Sequence, residues 1–179
     1  MEGVDVTEQS FEHDVIAASA DAPVVVDFWA EWCEPCKSLG PVLEEATAAK
    51  GVTLAKVDVD ANPQLSSEYG IRGIPAVKAF RNGHVVAEFV GAQPRAAVEA
   101  FLEELTKPPV SETIEDADLK AALAAGNYEG AFELLLGRIS SDPDSKDETR
   151  ELMVALFGEL GHEHPLTVQY RRRLATAIY

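Results

Sequence analysis

Val24-Val25-Val26-Asp27-Phe28-Trp29-Ala30-Glu31-Trp32-Cys33-Glu34-Pro35-Cys36-Lys37 decides how the rest of the chain is read. Its first six residues are β-branched or aromatic except for one aspartate. Such a run predicts a strand buried on both faces, in the middle of a sheet. The chain's two cysteines follow, three positions apart. Structural disulfides staple distant segments, whereas this pair would close a tiny loop, so its purpose is read as chemical. Pro35 stands where a first helical turn accepts proline. A helix is predicted from Glu34 to Ala49, with a kink at Pro41 where one backbone hydrogen bond is lost. A Cys-x-x-Cys pair can also be half of a zinc site, but zinc takes four ligands. No second pair exists, and only His162 and His164 of the four histidines lie close together. No metal and no cofactor are expected.

Working outward, Phe11, Val15 and Ile16 have helical spacing. Val52–Asp58 reads as a second strand, Pro63–Tyr69 as a short helix and Ala76–Phe80 as a third strand. Asn82-Gly83 is a strong hairpin signal and predicts an antiparallel return over Val85–Val90. A helix over Arg95–Thr106 completes the set, and Val4–Val6 could add a short strand. The order α-β-α-β-α-β-β-α implies parallel crossovers with an antiparallel edge. Pro108-Pro109 then forms a stiff joint. Beyond it come four predicted helices: Leu119–Tyr128 closed by glycine, Ala131–Ile139, one opened by a Ser145-x-x-Glu148 capping box, and one opened by Pro165 with Val168, Leu174 and Ile178 inward.

The chain has 179 residues and a formal net charge of −16. An acidic surface repels phosphate backbones and anionic lipid heads, so neither nucleic acid nor membrane is expected as a partner. No apolar stretch is long enough to span a bilayer. The start Met1-Glu2-Gly3-Val4-Asp5 lacks the basic and greasy segments of a secretory signal, and a cytoplasmic location is expected.

Residues 4–107 resemble thioredoxin along their whole length. The resemblance rests on Asp27-Phe28-Trp29, the Trp32-Cys33-x-Pro35-Cys36-Lys37 box, Pro41, Lys56 within Lys56-Val57-Asp58-Val59-Asp60-Ala61-Asn62-Pro63, Gly73-Ile74-Pro75, Gly83 and Gly91. Gly126-Asn127-Tyr128-Glu129-x-Ala131, followed by Pro143, looks like the second half of a tetratricopeptide repeat. Together with the closing Tyr170-Arg171-Arg172-Arg173-Leu174 it is similar to the C-terminal part of the thioredoxin–tetratricopeptide fusions called chaperedoxins. The expected architecture is an α/β thioredoxin fold, a central mixed sheet with flanking helices over 1–107. A linker over 108–114 and an all-α tetratricopeptide-like module over 115–179 follow.

The resemblance implies a protein-disulfide reductase combined with co-chaperone or holdase activity. Its implied partners are clients with disulfides or unfolded segments, a thioredoxin reductase, and the chaperonin or other chaperones. The other reading is a redox-independent client-holding module with a vestigial dithiol. At a helix start, Cys33 would meet unpaired N–H groups and the positive end of the helix dipole, which favour its thiolate. It is the expected exposed nucleophile, and Cys36, less exposed, the resolving thiol. The resemblance implies that Asp27 accepts the Cys36 proton and that Lys56 tunes the charge of Asp27. Trp32, Glu34, Pro35, Ile74, Pro75 and Gly91 form the expected client-binding set, with a cis bond before Pro75 and the Ile74 backbone open to an added strand. Glu34 is expected to oppose the thiolate by about 1 kcal/mol at surface dielectric. Arg171-Arg172-Arg173 could dock an acidic partner or decorate a helix end.

Overall fold

A computed structural model describes residues 3–178. The outermost residues of the two expected domains, Met1, Glu2 and Tyr179, lie outside the described residues. The chain divides into two compact units, Met1–Lys107 and Pro108–Tyr179.

The first unit is built on a five-stranded sheet of order β1-β3-β2-β4-β5. Its strands are β1 (Val4–Asp5), β2 (Val24–Trp29), β3 (Thr53–Asp58), β4 (Ala76–Arg81) and β5 (His84–Val90). β1 and β2 flank β3 in parallel, whereas β4 runs antiparallel to β2 and β5 antiparallel to β4. The β4–β5 turn places Asn82 at φ 51° and Gly83 at φ 76°, the left-handed pair that a two-residue hairpin requires. β2 is the central strand, and Val24, Val25, Val26 and Phe28 are all at 1 % exposure or less. Side chains alternate across it. Val24, Val26 and Phe28 pack with Phe11, Val15 and Phe80 on one face. Val25 packs on the other with Leu39 and Leu43 of α1 (Glu34–Lys50) and Val98 and Leu102 of α3 (Arg95–Leu105). Helix α2 is Pro63–Glu68.

One local expectation changes. Residues 12–17 form a π-helical turn and 18–20 a 3₁₀ turn; Phe11 and Val15 still point into the core. Helix α1 runs through Pro41 to Lys50, within one residue of the predicted end, and stops on Gly51 in the left-handed region.

The second unit holds α4 (Val110–Thr113), α5 (Ala117–Ala124), α6 (Tyr128–Ser141), α7 (Lys146–Leu160) and α8 (Pro165–Ile178). A core among the described residues joins Leu119, Phe132, Leu135, Met153, Leu156, Phe157, Tyr170 and Leu174. Residues 108–114, read as a linker, carry α4 and place Ile114 in that core. The Ser145 capping box does not form. A 3₁₀ turn over Pro143–Ser145 runs straight into α7, so Ser145 is already inside the turn and its hydroxyl donates to the Asp142 carbonyl. The Asp142 side chain caps the composite helix instead, accepting the Asp144 N–H. Val168 is 42 % exposed rather than inward, because the buried stripe of α8 is Thr167, Tyr170 and Leu174. Among the described residues no helix is long and apolar enough to cross a membrane.

Candidate functional site: a dithiol at a helix start and a buried carboxylate

The central strand β2 ends at Trp29, and a short turn delivers the chain to α1. Cys33 is the N-cap of α1, with φ −85° and ψ 98°, and its Sγ accepts the Cys36 N–H at 3.2 Å. The sulfur therefore meets one of the N–H groups that a helix start leaves unpaired. Cys33 and Cys36 are joined as a disulfide. Both are buried, at 4 % and 3 % exposure, so the expected contrast between an exposed and a sheltered cysteine is absent in this oxidation state. The reason is packing: the bridged pair rests on Ala30, with Trp29, Val59 and Ile74 against it.

Around the pair the surface is open. Trp32 is 66 % exposed, and its indole N–H donates to Asp60 Oδ2 at 2.7 Å. Glu34 and Pro35 are exposed in the first turn. The Glu34 carboxylate accepts from Lys37 Nζ at 2.9 Å. That pairing weakens the repulsion that Glu34 would exert on a Cys33 thiolate. The Ile74-Pro75 bond is cis. Ile74 touches the cysteine cluster, whereas Pro75 is buried. Gly91, expected in the client-binding set, donates its N–H to the Pro75 carbonyl at 2.7 Å from φ 89°, a conformation suited to glycine.

Asp27 sits on β2 at 1 % exposure, with Oδ1 lacking a hydrogen-bond partner. Burial pushes its carboxyl up to about 7, Lys56 pulls it down, and Glu44 pushes it up. Asp27 and Lys56 are register partners across β2 and β3. Lys56 Nζ is bonded to Glu44 Oε1 at 3.0 Å and lies 5.3 Å from the centre of the Trp29 ring. An unpaired buried carboxylate close to neutrality can take or give a proton at physiological pH.

Sequence reasoning missed Asp60 and Glu44. Asp60 had no local signal, because its partner is 28 residues away. Glu44 had one: Cys36, Gly40 and Glu44 follow at steps of four, which puts them on one helix face. In the second unit His162 Nδ1 pairs with Arg171, and His164 Nδ1 accepts the Leu166 N–H.

A dithiol at a helix N-terminus, closed as a disulfide on a mixed α/β sheet, defines a thiol–disulfide oxidoreductase of the protein-disulfide reductase type. Comparison with known proteins carries this further. Residues 2–104 match the thioredoxin family, and residues 91–179 match a tetratricopeptide-repeat family. The thioredoxin of Rhodospirillum rubrum is 48 % identical over 100 residues, 55 % of this chain and 94 % of that protein. Thioredoxin C-2 of Corynebacterium nephridii is 46 % identical over 103 residues, 56 % of this chain and 94 % of that protein. The thioredoxin of Pseudomonas aeruginosa is 46 % identical over 102 residues, 56 % of this chain and 93 % of that protein. The chain belongs to the thioredoxin family, and it carries a tetratricopeptide-like helical unit at its C-terminal end.

Proposed function

We propose that this protein reduces disulfides in protein clients and that its helical unit holds those clients or recruits chaperones. In the reduced form the Cys33 thiolate attacks one sulfur of a client disulfide. A Cys33–client bond forms, the client S–S bond breaks, and the departing thiolate takes a proton from water. Cys36 then gives its proton to Asp27 and attacks Cys33 Sγ. The Cys33–Cys36 bond forms, and the second client sulfur leaves as thiolate. Two electrons pass from the dithiol to the client, and a thioredoxin reductase restores them. Trp32, Glu34, Pro35 and Ile74 provide the rim on which the client lies, an extended client segment pairing with the Ile74 backbone. Lys56 tunes the charge of Asp27. A reducing compartment, the cytoplasm, keeps this cycle supplied.

The observation that carries the reading is the Cys33–Cys36 bridge at the start of α1, beside a strand that buries Asp27. The holding role is supported by Leu134, Val154 and Val168, which stand exposed on the helical unit at 46 %, 56 % and 42 %. Insulin reduction coupled to thioredoxin reductase tests the first half: it vanishes in Cys33→Ser, and retained turnover overturns the assignment. Aggregation of a denaturing client tests the second half. Suppression survives Cys33→Ser and is lost when residues 110–179 are removed. If the shortened chain suppresses aggregation equally well, the helices have no such role.

A further inference from the structure

Lys56 is held from three sides. A Cβ on Gly3 would lie 2.8 Å from Lys56 Cδ, so the lysine stem fills the space that glycine leaves. The Trp29 ring lies 5.3 Å from the ammonium. Glu44, one third exposed on α1, accepts its hydrogen bond at 3.0 Å. The first contact bears on the stem, and the second places the ammonium over a ring face. The third is the one that pairs the ammonium with an opposite charge.

The face shared by Asp27 and Lys56 is apolar on the side of Val25. Val25 on the same side of β2 clusters with Leu39 and Leu43 of α1, Val77 of β4, and Val98 and Leu102 of α3, all apolar. From β3 the charges on this face are Lys56 and Asp58, from β1 it is Asp5, the register partner of Lys56, and from α1 it is Glu44. Val77 is the register partner of Asp27 on β4 and carries none. Lys78 lies on the opposite face, paired with Glu88.

We infer that Glu44 is a positioning residue of the redox site: its carboxylate anchors the Lys56 ammonium and so fixes how much positive charge the buried Asp27 faces. The inference deepens the reading of Asp27 as the proton acceptor for Cys36, on which its catalytic consequence rests. With Glu44 present, the ammonium is hydrogen-bonded to Glu44, and Asp27 keeps enough proton affinity to act as a base near neutrality. Without it, the negative charge that supports protonation of Asp27 is gone, and the released ammonium turns towards Asp27. Both changes act in the same direction.

The test uses the full chain in its disulfide form, where neither sulfur titrates. The carbon-13 signal of the Asp27 carboxyl is followed against pH by NMR. In Glu44→Gln the inflection falls by about one pH unit, the range expected for losing one charge near a buried group. In Glu44→Asp, which keeps the charge, it stays closer to the parent value. In Glu45→Gln, an exposed neighbour paired with Arg95, it does not move. The pH profile of insulin reduction by the reduced protein is then compared across the same variants. An unmoved inflection in Glu44→Gln overturns the role of Glu44, and so does an equal shift in Glu45→Gln. If the inflection falls while the activity profile stays in place, the link to Asp27 stands and the proton-acceptor reading fails.

Discussion

Asp27 in the sheet unit and Glu133 in the helical unit are carboxylates driven in opposite directions. Asp27 is sealed in the sheet with one oxygen unpaired, and burial raises its carboxyl from 3.8 to about 7. Glu133 is half-exposed and accepts hydrogen bonds from Arg173 and Tyr170, which bring its carboxyl down from 4.5 to about 2. Tyr170 itself is fully buried against Phe132, and its phenol is pushed up to about 12, by burial first and by the bond to Glu133 next. One unit therefore keeps a polar group that weakens it, at the place where chemistry is done. The other uses its carboxylate to tie α6 to α8. The contrast separates a unit that carries a reactive dithiol from one whose charged pair serves packing, within a single chain.

The largest expected effect breaks the contrast at Asp27. Its carboxyl is ionised above pH 3.8 in the unfolded chain but only above about 7 in the fold. Stability is therefore lost as pH rises through that window and stays lower above it. At 1.36 kcal/mol per unit, Asp27→Ala gains about 4 kcal/mol at pH 8. The gain shrinks towards pH 4. Urea unfolding at the two pH values checks this, and an equal gain at both would show that burial of the charge is not its source.

Next in size is the helical core. Leu135→Ala removes a fully buried side chain and lowers the stability of that unit by about 3 kcal/mol, as cavity-forming changes do. Hydrogen exchange checks it, with amides of α6 and α7 losing protection. A smaller change is expected in Glu133→Gln. The stability that the paired carboxylate provides is present above pH 4.5 and fades as pH falls towards 2. Because the pair is solvent-screened, the loss at neutral pH is about 0.5 kcal/mol. Thermal melts at pH 7 and pH 2 check it, with parent and variant converging at the lower value. The smallest effect sharpens the sheet unit's surface chemistry. Glu34→Gly lowers the Cys33 thiol pKa by well under one unit, since Lys37 already screens that carboxylate. Thiolate absorbance against pH reads it, and a rise instead of a fall would reverse the assigned sign.

Much of this was legible because it is local. The run from Val24 to Trp29 could only sit in a sheet interior, Asn82-Gly83 could only turn back on itself, and a proline after the first cysteine marks a helix start. The capping box at Ser145 failed because a preceding 3₁₀ turn had already absorbed that serine. Val168 was placed inward because it is apolar, yet Thr167 and Tyr170 hold the buried positions, and tyrosine is accepted there through its bond to Glu133.

The sequence by itself determined the element order, the dithiol at a helix N-terminus and the aspartate inside an apolar strand, since each depends on neighbours a few residues apart. Only the tertiary structure decided that Asp27 faces Lys56 across the β2–β3 register, that Glu44 takes the lysine, that Asp60 holds Trp32, and that both cysteines are buried when bridged. These facts depend on which strands become neighbours and which helix face meets the sheet. Packing of distant segments sets both.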